Sequence, residues 1–256
     1  MNENSFFLSA QDGNIPKLNN LIEEFGVNIN SQNNRDKESA LTLAVKYKRN
    51  ILAKHLINLG INIHLQNSSK DNALIIAASN SNDEMIDILI ECGIDINFQN
   101  LYGDSALIMA SHRGFLPIVE KLYNSGAFLN MRNRLGQTAL MYAVSMKRKN
   151  VIDFLINNGS RLDYQNMWNE TVFTIASRNM DKSMLDFLIE TYTKQCFIDN
   201  MEPLSLEEAC FNNFNLKQDD YINDILSNVK IFIALYCINE IDIYSQIDIY
   251  TFICSF

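Results

Sequence analysis

The chain has 256 residues, 47% of them hydrophobic, with 9 Gly, 3 Pro and a net charge of -9. That is enough apolar chain for a sizeable interior, and the scarcity of Gly and Pro excludes a linker-rich or low-complexity protein. Residues 194–256 carry 3 Lys/Arg against 10 Asp/Glu and residues 1–193 carry 18 against 20, which argues against nonspecific nucleic-acid binding.

The N-terminal MNENSFFLSA lacks a basic start and a long apolar core, so no secretory signal is expected. Phe7, Leu8 and Ala10 begin a helix, and Asp12-Gly13-Asn14 turns it. Leu18, Leu21 and Ile22 line a second helix that stops at Gly26. Asn2, Glu3 and Asn4 are polar, as a terminal unit facing water should be.

From here the chain repeats. Ala44, Ala77, Ala110, Ala143 and Ala176 follow one another at 33 residues, and Gly60, Gly93, Gly126 and Gly159 keep the same step. So do the helix-opening residues Ser39, Asn72, Ser105, Thr138 and Thr171, whose side chains suit an N-cap. The step from Ala10 to Ala44 is 34, which places one extra residue in the connection Asn33–Glu38. The stretch Asn133–Gly159 shows the unit best: Thr138 opens a helix, Leu140 and Ala143 share a face, and Val151, Ile152, Leu155 and Ile156 stripe a second helix. Gly159 suits its left-handed end. Two helices this short cannot bury their stripes alone, so neighbouring units must stack into one elongated domain.

Each glycine is followed by a short alternating arm: Ile61-Asn62-Ile63, Ile94-Asp95-Ile96, Ala127-Phe128-Leu129 and Ser160-Arg161-Leu162. Alternation predicts a strand-like arm. Next come Gln66-Asn67, Gln99-Asn100, Arg132-Asn133 and Gln165-Asn166, whose Asn can bond the backbone of the turn ahead. Gly103 and Gly136 supply a turn glycine. Ser69–Asp71 and Trp168–Glu170 have none, and less regular turns are expected there.

After Ile189 the pattern decays: Tyr192 stands where the next glycine would fall, while Ala209 keeps the alanine phase. Pro203 to Leu206 reads as a degenerate inner helix, Asp219 or Asp220 as the cap of a longer outer one, and Ile222, Ile225, Leu226, Val229, Phe232 and Ile233 as its stripe. IDIYSQIDIY, with Phe252, Ile253 and Phe256 after it, either lies back on that unit or is an apolar tail awaiting a partner. The longest apolar run near this end, Ile231 to Ile238, is far below the roughly 20 residues a bilayer span needs.

A 33-residue unit of turn and two helices resembles the ankyrin repeat. The residues carrying the resemblance are SALTLA, NALIIA, SALIMA, TALMYA and TVFTIA, with the LIxxG ends. It implies an all-α ankyrin-repeat solenoid of stacked helix-turn-helix units with short β-hairpin-like fingers. The array would cover residues 1–193, a partial N-terminal repeat plus five repeats, with 194–256 a divergent C-terminal repeat and tail. Two departures stand out. The proline usual after the opening Thr is Ala or Val, and the histidine usual in the first helix is Thr42, Ile75, Ile108, Met141 or Thr174, so stability below an idealised array is expected.

The chemistry-bearing residues form no catalytic or metal-binding set. His55, His64 and His112 are dispersed with no ligand spacing, and no phosphate-cradling glycine loop appears. Cys92, Cys196, Cys210, Cys237 and Cys254 contain no C-x-x-C pair and read as reduced thiols of a cytosolic interior. No enzyme and no cofactor is expected. The resemblance implies partner binding through finger tips and the adjoining inner-helix surface. By position the tips are Ser68-Ser69, Leu101-Tyr102, Arg134-Leu135 and Met167-Trp168. Leu101, Tyr102, Arg134, Leu135, Met167 and Trp168 form the candidate patch, unless Tyr102 and Trp168 fold back onto neighbouring fingers. A second stripe runs through Lys46, Lys48, Arg49, His112, Arg113, Lys147, Arg148, Lys149 and Arg178. His112 and Arg113 join the candidate set, and the stripe suits an acidic partner or the chain's own acidic end, or else is a solvated edge. The expectation is a cytoplasmic, monomeric, non-catalytic interaction scaffold for a protein partner, with no nucleic acid and no membrane span. The competing reading is a targeting or regulatory subunit whose C-terminal region docks a second protein.

Overall fold

The computed structural model describes residues 2–179 and 182–198. The chain falls into two compact units that divide between Arg161 and Leu162. The expected C-terminal repeat, its Pro203 and Asp219 signals and the IDIYSQIDIY tail lie outside the described residues.

The first unit holds five helix pairs: α1 (Asn2–Asp12) with α2 (Ile15–Glu23), α3 (Ala40–Lys46) with α4 (Asn50–Asn58), α5 (Ala73–Ser79) with α6 (Asp83–Glu91), α7 (Ala106–Arg113) with α8 (Leu116–Asn124), and α9 (Ala139–Ser145) with α10 (Lys149–Asn157). Helices of seven to 11 residues are not stable alone, so tertiary packing must hold them. Their starts are fixed locally. Ser39, Asn72, Ser105 and Thr138 accept the amides of Thr42, Ile75, Ile108 and Met141. Where a histidine was expected, Thr42 donates no ring N–H, but its hydroxyl accepts the Ser39 amide at 2.8 Å and closes a capping box.

The first helices form a row, α1 on α3, α3 on α5, α5 on α7 and α7 on α9. Ala44, Ala77, Ala110 and Ala143 are fully buried along that row. Any larger side chain there would force the helices apart, which explains the strict alanine period. Leu107 and Leu140 are buried in the same unit, and the second helices close over it with Leu52, Leu56, Met85, Leu89, Ile118, Leu122, Val151 and Leu155.

The alternating arms are not strands. Among the described residues the one β contact is an isolated bridge between Gln32 and Ser39. In the arms, Asn28, Asn62 and Asp95 each accept, through Oδ1, the amide two residues on, from Asn30, His64 and Asn97. That local bond curls the backbone before a ladder can form. Ile61 and Ile94 are buried as anchors, whereas Ile63 and Ile96 are only half-buried. In those two arms the alternation records one anchor rather than a pleat, whereas Ala127 and Leu129 are both buried in the next.

In the second unit, α11 (Val172–Arg178) pairs with α12 (Lys182–Ile198). Thr171 and Thr174 make the same reciprocal cap as Ser39 and Thr42. Phe173 is buried and meets Tyr192 edge-on, with ring centroids 5.5 Å apart. Tyr192 replaces the stop glycine, and α12 runs past that position to Ile198. Among described cysteines Cys92 is exposed, not interior.

Candidate functional site

Each finger is built around one asparagine. Oδ1 of Asn100 accepts the amides of Tyr102 and Asp104, both at 2.9 Å. Asn67 does the same for Ser69 and Asp71, and Asn133 for Leu135 and Gln137. The backbone closes each turn again, with Asn67 N on Asp71 O, Asn100 N on Asp104 O and Asn133 N on Gln137 O at 3.0, 3.0 and 2.9 Å. In the first finger Asn33 N reaches Glu38 O, one residue further, as the extra residue in that connection requires.

The turns expected to be irregular for want of glycine are as regular as the others. Lys70 and Asn169 take the left-handed conformation themselves, with φ of 59° at each. Gly103 is required for a further reason. A Cβ there would stand 2.6 Å from the amide nitrogen of Arg134 in the next finger.

Neighbouring fingers of the first unit are tied by backbone bonds: Ser68 N to Asp36 O at 2.7 Å, Leu101 N to Ser69 O at 2.8 Å and Arg134 N to Tyr102 O at 3.0 Å. With main-chain groups used this way, the tip side chains are left to solvent. Leu101, Tyr102 and Leu135 are 37%, 58% and 38% exposed, and Arg134 is exposed with them. Tyr102 does not fold back. Leu101, Tyr102, Arg134 and Leu135 are therefore one contiguous group. Met167 and Trp168, 60% and 54% exposed, form the tip of the finger in the second unit, where Asn166 accepts the amides of Trp168 and Glu170.

His112 and Arg113 sit at the far end of α7, about 12 Å along the helix axis from the finger. Between them lies a polar floor that the sequence pattern did not single out. Asn133 Nδ2 donates to Asp104 Oδ1 at 2.8 Å and to the Tyr142 hydroxyl at 3.1 Å. Tyr142 in turn meets the His112 ring edge-on at 5.3 Å. Its one signal was a large polar-tipped residue at the helix position that holds Leu43, Ile76 and Met109 in other repeats.

Electrostatics differ along this face. Burial pushes the Asp71 carboxyl up from its ordinary value, against the amides of Asn100 and Asn67 that hold it down. Burial, aided by Arg113 and Arg148, pushes His112 down, so the ring is neutral at pH 7. Burial, with the field of Asp104, raises Tyr142. Glu38 is buried and bonds Lys46 Nζ at 3.0 Å, which holds the lysine pKa up. Among the described residues no group of three or more His, Cys, Asp or Glu is placed to hold a metal ion. None of the described helices is long and apolar enough to cross a membrane.

No curated protein matches the chain. A family model for ankyrin repeats, in three copies, matches residues 6–100 and 92–166. These spans take in the five helix pairs of the first unit, with its alanine row and Asn-centred fingers, and the chain belongs to the ankyrin-repeat family, whose members are generally protein–protein interaction modules.

Proposed function

We propose that this chain is a non-catalytic, cytoplasmic scaffold that captures a protein partner through its finger tips and the adjoining inner-helix face. The supporting observation is the group Leu101, Tyr102, Arg134 and Leu135, three large apolar side chains and a guanidinium exposed on a backbone already bonded finger to finger. Aromatic and Arg side chains on a rigid base lose little freedom on binding and dominate interface energies. His112 and Tyr142 extend the same face toward Arg113.

The test compares capture from native extract by the wild-type chain and by Tyr102→Ala with Leu135→Ala. Both positions are exposed, so thermal midpoints should agree. A partner held by the wild type and lost by the variant is the expected result; equal capture by a well-folded variant would sink the reading. Trp168→Ala, measured separately, asks whether the exposed tip of the second unit contributes its own contact.

A further inference from the structure

The turns joining first to second helices carry a charge pattern of their own. Residues 1–161 hold 16 Lys/Arg and 15 Asp/Glu, so the first unit is close to neutral. Seven of its 16 cations nonetheless sit at these turns: Lys46 at the end of α3 with Lys48 and Arg49 after it, Arg113 at the end of α7, and Lys147, Arg148 and Lys149 after α9. All seven are exposed.

Successive turns lie side by side. Lys48 Nζ donates to Ser81 O at 3.4 Å, and Asn80 Nδ2 to Lys46 O at 3.2 Å. Arg49 Nε donates to Gln11 O at 2.9 Å, and Arg148 Nε to His112 O at 3.4 Å. These acceptors are neutral carbonyls, so the bonds place the charges without cancelling them. Glu38 neutralises Lys46 alone. Lys48, Arg49, Arg113, Arg148 and Lys149 pair with no carboxylate among the described residues.

Two of these charges are held in place. The stem of Arg49 lies on Gly13 and that of Arg148 on Gly114, where a Cβ would stand 3.1 and 2.7 Å from the respective Cδ. Each guanidinium gives its Nε–H to a carbonyl and keeps its four terminal N–H groups, the donors that suit a carboxylate. Tyr47 and Met146 are exposed among the cations. The neutral ring of His112 adds no charge at pH 7.

We propose that this edge, Lys48, Arg49, Arg113, Arg148 and Lys149 with Tyr47 and Met146, docks an acidic protein segment that also carries apolar side chains. The inference deepens the scaffold reading and takes from it that the partner is a protein. Charge complementarity argues for the acid, and the two apolar side chains for the interspersed apolar groups. A nucleic acid is the poorer fit. The cations are interrupted by neutral Asn80 and Ser81, and the chain as a whole carries -9.

The test uses the full chain and three probes: a fluorescein-labelled peptide of alternating Glu and Phe, poly-glutamate, and a single-stranded oligonucleotide of the same charge as the peptide. The peptide should bind most tightly, and its affinity should fall on the order of tenfold from low to physiological salt as the exposed charges are screened. Arg113→Glu with Lys149→Glu should weaken it by a similar factor. Neither side chain bonds a neighbouring turn, so the thermal midpoint should hold. Failure of the peptide to bind at low salt, equal binding by the charge-reversed variant, or an oligonucleotide that binds as tightly as the peptide would each overturn the proposal. Tyr102→Ala with Leu135→Ala should leave peptide affinity within about twofold. If that variant loses the peptide and the edge variant keeps it, the acid sits on the fingers and the edge proposal fails while the scaffold reading stands.

Discussion

Two adjacent fingers reach the same turn by different routes. In Asn67–Asp71 the left-handed residue is Lys70, and in Asn100–Asp104 it is Gly103. Both turns have their asparagine bonded to the same two amides and the same closing backbone bond. The difference lies in what comes next. Gly103 faces the Arg134 amide of the following finger at a distance no Cβ tolerates. A lysine can take the conformation when space allows. Only the approach of a neighbour makes glycine obligatory, so the glycine reports tertiary packing and not turn type.

The largest effect should come from removing that distinction. Gly103→Ala adds a clash with backbone to left-handed strain and should cost about 3 kcal/mol. Amide exchange at Arg134 should rise with it. An alanine variant as stable as the wild type would show that the fingers slide freely. Next, Asn100→Ala strips the acceptor from two amides and the donor from Asp71, a loss of about 2 kcal/mol by urea unfolding. Asn67→Ala should cost less, because its Nδ2 reaches Asp71 only at 3.4 Å. The opposite sign is expected at the other route: Lys70→Gly relieves a left-handed side chain and should stabilise by about 0.5 kcal/mol.

The smallest effects are those of pH. The folded state holds the Asp71 proton more tightly than the unfolded chain does, so its contribution to stability falls as pH rises from 3.8 through the raised folded value. Asp71→Asn should therefore gain on the wild type above that window and lose the advantage below it. His112 runs the other way. Its folded pKa lies below 6.5, the unfolded chain binds the proton more readily, and stability falls as pH drops from 6.5 through the folded value. His112→Gln should flatten the wild-type curve in that range. An unchanged slope would remove His112 from the account.

Much of this was legible in the chain itself, for a physical reason. Ala44, Ala77, Ala110 and Ala143 recur because helix separation admits nothing larger, and packing limits of that kind leave a periodic trace. The finger asparagines were legible because one residue, by its own side chain, makes the turn. The tip side chains could be named by spacing, but whether Tyr102 folded away depended on finger-to-finger bonds. The arms misled, because an alternating pair of Ile fits a strand and an Asn-curled turn equally well. Lys70 and Asn169 misled because sequence propensity states a preference, which a closed hydrogen-bond ring overrides. Arg49 on Gly13 and Arg148 on Gly114 were hidden, since nothing local indicates which distant turns adjoin.

The finger-to-finger bonds of the first unit, Ser68 to Asp36, Leu101 to Ser69 and Arg134 to Tyr102, join residues 32 apart. A nascent chain can therefore finish each layer on the one before it as soon as the next few dozen residues leave the ribosome. Within the first unit no finger has to wait for a distant one, and loop-closure entropy is met in small equal instalments. Growth of the array by whole units would leave that order of assembly unchanged.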